Sequence, residues 1–451
     1  MNKEKFIHSI DNIDIPVEKL VARERMAMFE AKKKIRKGTK SSILIACGIC
    51  LTLIGSGFVV PQMNHVLAKM PIIGELFSYF KDSVGENLAA SQLVQEINQR
   101  AVSNGVGVTV NGVYYDGGRI SVTFKVDHFR PKSKEFWYDV KIADGSDKWE
   151  RGAQYDGRVT SEGFVGQILI DYPNKNLPQH LTLPLTFTSM NDIKGKWRFD
   201  IPIQQLDNKK VSIRQLVQSN DKAQKVNFET MTIGKGSAVI DYTAIHSLIG
   251  KSDLARIEKV TDDKGKEIDV LSSGIEFGRK KVDNWMESEE RSIIAKIPDN
   301  TKFLMIFPYV REYEHDATHS LSEPAFKMHS TRNDVTLTVE QMEQSKNELT
   351  IQYTLDHVDT NLSLGEIKNF GENLNLIDSS QIGKDRPSIG HIVKGSTVKV
   401  LDKDKLQFQA TFKLGGEYGI DDFSLENYSL EAPFSILLPE KTLPPIKVNL
   451  K

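Results

Sequence analysis

From Gly105 onward apolar and polar residues alternate with a period of two, and three stretches share one layout. Residues 106–126 read VGVTVNGVYYDGGRISVTFKV, residues 224–244 read QKVNFETMTIGKGSAVIDYTA, and residues 335–355 read VTLTVEQMEQSKNELTIQYTL. Each is an alternating strand, a Gly-rich or polar turn and a second alternating strand, the pattern of a β-hairpin. The copies start roughly 110 to 120 residues apart, a spacing that means repeated domains, since solenoid periods run about 20 to 50 residues. Each copy is expected to close on a strand near proline: WRFDIPI at Trp197–Ile203, FLMIFPYV at Phe303–Val310 and FSILLPEKTLPPIKVNL at Phe434–Leu450. Proline lacks the ladder donor and is tolerated at a sheet edge, so these strands are placed at edges. Units of about 100 residues built from short strands describe Ig-like β-sandwiches, two or three in tandem. The expected units are residues 105–210, 211–325 and 326–451, with boundaries near 208–224 and 322–334. The stretch HSLSEPAFKMHSTRND at the second boundary reads as a linker or a crossing loop.

Before Gly105 the period is helical. Asp14-Ile15-Pro16 reads as a helix entry, with Asp as cap and Pro in the first turn. Val17, Leu20, Val21, Ala27, Met28, Ala31 and Ile35 then line one face of an amphipathic helix, with Glu18, Lys19, Arg23, Arg25 and Glu30 opposite. Such a helix, with no core of its own, needs a partner or a membrane surface to cover its stripe. The residues expected to contact a partner are Ile15, Val17, Leu20, Val21 and Met28. Past residue 60, residues 61–104 are expected to form a helical collar, with Val84, Leu88, Leu93, Ile97 and Ala101 at helical spacing.

Charge gives this pattern an orientation. No Lys, Arg, Asp or Glu occurs from Ser41 to Ala68, and the stretch SSILIACGICLTLIGSGFVV at 41–60 is almost wholly apolar or small. Twenty helical residues span about 30 Å, the thickness of a bilayer's hydrocarbon core. Lys32, Lys33, Lys34, Arg36, Lys37 and Lys40 stand immediately before it, where they meet anionic headgroups; the first basic residue after it is Lys69. The positive-inside rule therefore predicts a single-pass cell-membrane protein with residues 1–40 in the cytoplasm and the C-terminus outside. A cleaved signal peptide ending at Ala68 competes, but it would need a far longer n-region and h-region than signal peptides have. Residues 1–40 carry a balance of +5 and the rest of the chain −6, which disfavours nucleic-acid binding by the exterior.

Little else in the sequence carries chemistry. The two cysteines, Cys47 and Cys50, both lie in the apolar run, so the exterior is built without disulfides, as suits a bacterial surface protein with large domains. No P-loop, GxSxG, HExxH, dinucleotide fingerprint or EF-hand loop is present. The run Glu312, Glu314, His315, Asp316, His319, with His329, is the best metal candidate, but its neighbours read as a solvated loop. Tyr114, Tyr115, Phe136, Trp137, Tyr138 and Trp285 read as core or rim aromatics. The expectation is a protein that is not an enzyme and holds no metal or cofactor.

The order of features resembles a family of Gram-positive bacterial membrane proteins of unknown function, described as negative effectors or anti-sigma factors of extracytoplasmic-function sigma factors. The resemblance is carried by Ile15-Pro16-Val17, the Lys/Arg run, the apolar span, KMPIIGELF at 69–77 and the VTVNGVYYDGGRISVTF hairpin. It extends more loosely through the Ig-like C-terminal region. It implies that the cytoplasmic helix binds a sigma factor while the exterior senses envelope state through an unidentified ligand. Zinc-containing anti-sigma domains carry a cytoplasmic His and Cys-x-x-Cys; here the one Cys-x-x-Cys lies in the apolar run, so sigma binding would rest on one helix. The competing expectation is a surface adhesion or cell-wall-binding protein whose N-terminus only anchors it.

Overall fold

The computed structural model describes residues 73–127, 136–160, 163–384, 388, 390–415, 420 and 423–450, all within one compact unit, Gly57–Lys451. The contact helix, the basic run and the apolar span lie outside the described residues. Among the described residues no helix is long and apolar enough to cross a membrane. The described chain is mainly β, arranged in six sheets around three separate apolar cores.

Two helices lead into the first core, α1 (Ile73–Tyr79) and α2 (Ser83–Ala90). Asp82 caps α2 by accepting the Gly85 amide at 3.0 Å, and Val84 and Leu88, one turn apart, are buried. There follow β1 (Gln95–Ser103), β2 (Val106–Asp116), β3 (Arg119–Asp127), β4 (Tyr138–Ile142), a short α3 (Asp147–Arg151), β5 (Ala153–Thr160), β6 (Gly163–Asp171), β7 (His180–Met190) and β8 (Ile193–Gln204). One sheet runs β1-β2-β3-β6-β5 and the other β4-β7-β8, and both contribute to a single apolar cluster. The helical spacing drawn through Leu93, Ile97 and Ala101 is corrected here. The chain turns at Gln92, φ 55°, and from Gln95 it pairs antiparallel with β2. Residues four apart share a face in a strand as well as in a helix, so that spacing could not separate the two.

The middle core is built from β9 (Lys209–Gln218), β10 (Gln224–Ile233), β11 (Ser237–Ser247), β12 (Leu254–Asp262), β13 (Glu267–Ile268), β14 (Val270–Val282), β15 (Trp285–Ala295) and β16 (Phe303–Arg311). The third contains β17 (Ala317–Ser320), β18 (Phe326–His329), β19 (Thr336–Gln344), β20 (Glu348–Asp356), α4 (Leu364–Glu372), β21 (Asn375–Asp378), β22 (Ile392–Val393), β23 (Thr397–Asp402), β24 (Gln407–Lys413) and β25 (Tyr428–Ala432). Ser363 and Glu366 close a capping box at the start of α4. The stretch read as a linker or loop around 319–334 instead supplies β17 and β18, which pair with β25 and β19.

The three predicted hairpins are β2–β3, β10–β11 and β19–β20, each antiparallel. Each breaks register at the same place, between Val110 and Gly112, Phe228 and Thr230, and Val339 and Gln341. Asn111, Glu229 and Glu340 are thus equivalent bulge residues, each the sixth of its repeat. In two copies the same bond secures the bulge: Thr243 donates to Glu229 at 2.6 Å and Thr354 to Glu340 at 2.5 Å.

The closing strands differ from expectation. Pro202 does sit on β8, at a sheet edge. Pro308 does not, because β16 is flanked by β12 on one side and by β26 (Lys441–Thr442) and β27 (Ile446–Asn449) on the other. It is accommodated where β12 bulges between Ile257 and Lys259 and where β26 has given way to β27, so no partner needs its missing donor. Phe434–Leu437 is a 3-10 turn, and the last strand leaves the third core to close the middle one. Leu443, Ile446, Val448 and Leu450 are buried with residues of β10–β16, and Lys209 donates to the Leu450 carbonyl at 2.7 Å.

Candidate functional site: two polar junctions between the cores

The first junction joins two of the repeated hairpins at their tips. In β2 the turn is Asp116-Gly117-Gly118-Arg119, with Gly117 at φ +56°; in the second hairpin it is Gly234-Lys235-Gly236. The fully buried Asp116 carboxylate accepts the amides of Lys235 (2.7 Å), Gly236 (3.0 Å) and Ser237 (2.7 Å), and the Ser237 hydroxyl at 2.8 Å. A Cβ on Gly234 would lie 2.5 Å from Asp116 Oδ1, so only glycine lets the two turns approach this closely. Beside this cradle Arg291, wholly buried, donates to Asp241 at 2.7 Å and to the Asn174 and Lys175 carbonyls, with Phe277 under its guanidinium. Lys175 in turn bridges Glu289 and the bulge residue Glu229 at 3.0 and 3.2 Å.

Helix α2 is wedged into the same place. Val84 and Leu88 pack against the Gly236 turn, and Phe77, Val84, Leu88 and Tyr114 form a small buried cluster with Leu271 of β14 packed on it. The Tyr114 hydroxyl donates to Asp82 at 2.9 Å and Gln167 donates to it at 2.7 Å. Burial, then the Asp82 carboxylate, push the Tyr114 phenol up, which keeps it a donor.

The second junction, between the middle and third cores, is ionic. Arg332, in the turn before β19, forks onto Asp253 at 2.8 and 2.9 Å and reaches Glu312 at 2.5 Å. Lys441 of β26 bridges Glu312 and Asp221 at 2.9 and 2.8 Å. Asp253 also accepts the Tyr313 amide at 2.9 Å and Gln224 Nε2 at 2.6 Å. Burial raises the Asp253 carboxyl, but Arg332 and the Tyr313 amide outweigh it and leave it below the usual carboxylate range. Because an ionised carboxylate only accepts, the Gln224 amide nitrogen faces Asp253 and its carbonyl faces His246, 2.5 Å from Nδ1. His246 therefore carries its proton on Nδ1, and its buried Nε2 has no partner among the described residues. Burial lowers this imidazole to about 4.

The acidic and His-rich run resolves into structural contacts. Glu312 binds Arg332 and Lys441, Glu314 accepts from Ser330 and Thr331, and His319 stacks on Phe326 at 4.0 Å. Among the described residues no three His, Cys, Asp or Glu side chains are placed to hold a metal ion. Tyr114 and Tyr115 are buried, Trp137 is half exposed, and Trp285 sits under Lys225 at 4.0 Å. Of the polar junction residues only Glu312 and Tyr114 stood out in the sequence; the partners of the others lie far along the chain.

Residues 33–128 match the family model described as a domain of unknown function, DUF4179. That interval contains the basic run from Lys33 onward, the apolar run, α1, α2 and the first hairpin. No curated protein matches the chain. A crystal structure described as that of a conserved domain protein from Bacillus anthracis is 21% identical, over 55% of this chain and 89% of that one, with a TM-score of 0.44.

Proposed function

We propose that the chain is a membrane-anchored regulator of the anti-sigma type, with residues 1–40 binding an extracytoplasmic-function sigma factor and a β-built exterior sensing envelope state. The exterior is on this reading a tandem of three Ig-like sandwiches; the two sheets around each core and the shared bulge support it. One observation carries the signalling half. Within about a dozen residues of the uncharged run, the chain enters α1 and α2 and is buried where the first and middle cores meet, with Phe77 fully covered and Asp82 holding Tyr114 and Gln167. A short tether fixed in a junction passes on any rearrangement of that junction, whereas an adhesin needs no such seat for its anchor. The test is capture with the full-length chain from its native host. The wild type should retain a sigma factor, and Leu20→Asp with Val21→Asp should release it. If no sigma factor is held by the wild type, the regulator reading is abandoned for the surface-adhesion one.

A further inference from the structure

The corner between α1 and α2, the edge strand β5 and Leu271 of β14 line a half-open cavity of about 320 Å³. We propose that it binds a small zwitterion of dipeptide size, Arg119 taking the carboxylate and Asp82 the ammonium. This gives the sensing role a ligand and rests on that reading for its meaning.

Both charges are built into the wall and incompletely used. Arg119 is 4% exposed. Its Nε donates to Asp171 at 2.9 Å and one Nη reaches the Leu271 carbonyl at 3.4 Å. A guanidinium has five N–H groups, and the others have no partner among the described residues. Those donors are not sealed in protein, and a carboxylate in the cavity that Arg119 lines would engage them in the paired geometry guanidinium favours. Asp82 is 8% exposed and lines the same cavity. It is solvated by neutral donors only, Tyr114, Gln167 and the Gly85 amide, with no cation in ion-pairing distance among the described residues. Lys81 and Asp156 also line the cavity, one of each sign and both exposed, so the buried pair decides: an anion alone would leave Asp82 uncompensated and a cation alone would leave the free donors of Arg119 unused, and a ligand bearing both charges fits best. Leu169 and Leu271 supply apolar wall, and the ring of Tyr155, 46% exposed, stands at the rim. The volume falls at the small end of ligand pockets, which run roughly 300–1,000 Å³.

The probe is alanyl-alanine, titrated calorimetrically into the full-length chain in detergent, beside N-acetyl-alanyl-alanine and alanyl-alanine amide. Alanyl-alanine should bind, and blocking either end should weaken it by about tenfold or more, the worth of one charge-assisted contact. Arg119→Lys keeps the charge and loses the fork, and should also cost about tenfold. Arg119 supports Asp171, so a second variant guards against misfolding: Gln154→Trp, at an exposed rim position, narrows the cavity and should weaken binding with the melting temperature unchanged. No heat with alanyl-alanine, equal binding of the blocked forms, or full affinity in a folded Gln154→Trp protein would each overturn the proposal. None of these outcomes touches sigma-factor capture, so the two readings fail separately.

Discussion

Asp116 and Asp253 are both buried aspartates at a junction between cores, and they are satisfied by different donors. Asp116 rests in a cradle of three backbone amides and a hydroxyl, supplied by one glycine-flanked turn. Asp253 rests on an arginine that must also serve Glu312, in a cluster of three carboxylates and two cations drawn from five separate segments. A backbone cradle is assembled as soon as its turn folds, and its dipoles carry no net charge to desolvate. An ionic cluster exacts desolvation for every member and returns it only when all are present. The first junction should therefore be the permanent one. The second, which also depends on β26 and β27 returning from beyond the third core, should be the one that opens.

The largest test of that difference is Arg332→Ala. It leaves Asp253 buried without a cation and Glu312 with Lys441 alone, and should cost about 3–5 kcal/mol. Urea unfolding should show the third core releasing first, with new protease cleavage between β16 and β19. A loss below about 1 kcal/mol would mean the cluster does not hold the junction.

Acid should open the same junction without mutation. His246 ordinarily titrates near 6.5 and is lowered to about 4 in the fold, so the unfolded chain binds the extra proton between those values. Its contribution is complete above about pH 6.5 and is lost as pH falls to about 4, by about 3 kcal/mol. The incoming proton would go to Nε2, which has no acceptor among the described residues, in the field of Asp253, Glu276, Arg279 and Arg332. Asp253, itself lowered, adds its loss at still lower pH. His246→Asn keeps an amide donor near the position of Nδ1 and should flatten the stability profile between pH 6.5 and 4. A wild-type profile that is already flat there would remove the acid-sensitive role.

The repeat was legible in the sequence because alternation survives any tertiary context, and all three hairpins fall where the pattern places them. Their bulges were not legible, since one inserted residue leaves composition and approximate alternation unchanged. Nor were the junctions. Asp116 meets Gly236 across 120 residues and Lys441 meets Asp221 across 220, and no local period encodes such distances. The clue available for the first junction was the paired glycines in both turns, read only as hairpin signals. The Glu312 to His319 run drew notice for its titratable residues, and their spacing said nothing of Arg332, which engages the first of them. Proline near a strand end was over-read at Pro308, where a bulge opposite does the work assigned to an edge.

Asp116→Asn is the smaller perturbation and the sharper one. It preserves shape, but one of the two acceptor oxygens becomes an N–H₂ group facing backbone donors, so about 1.5–3 kcal/mol should be lost, the worth of hydrogen bonds to a charged group. Gly234→Ala attacks the same cradle from the other side, because its Cβ would lie 2.5 Å from Asp116 Oδ1 and the turns would have to part. If the cradle is what joins the cores, the double variant should be much less destabilised than the sum of the singles, because the turns have already separated. If the losses add, the turns are held by α2 and Arg291 instead, and Asp116 merely occupies a contact that other groups maintain. Thermal melts of the four proteins decide between these. Unlike Arg332→Ala, neither single change should alter the acid profile of His246, which belongs to the other junction.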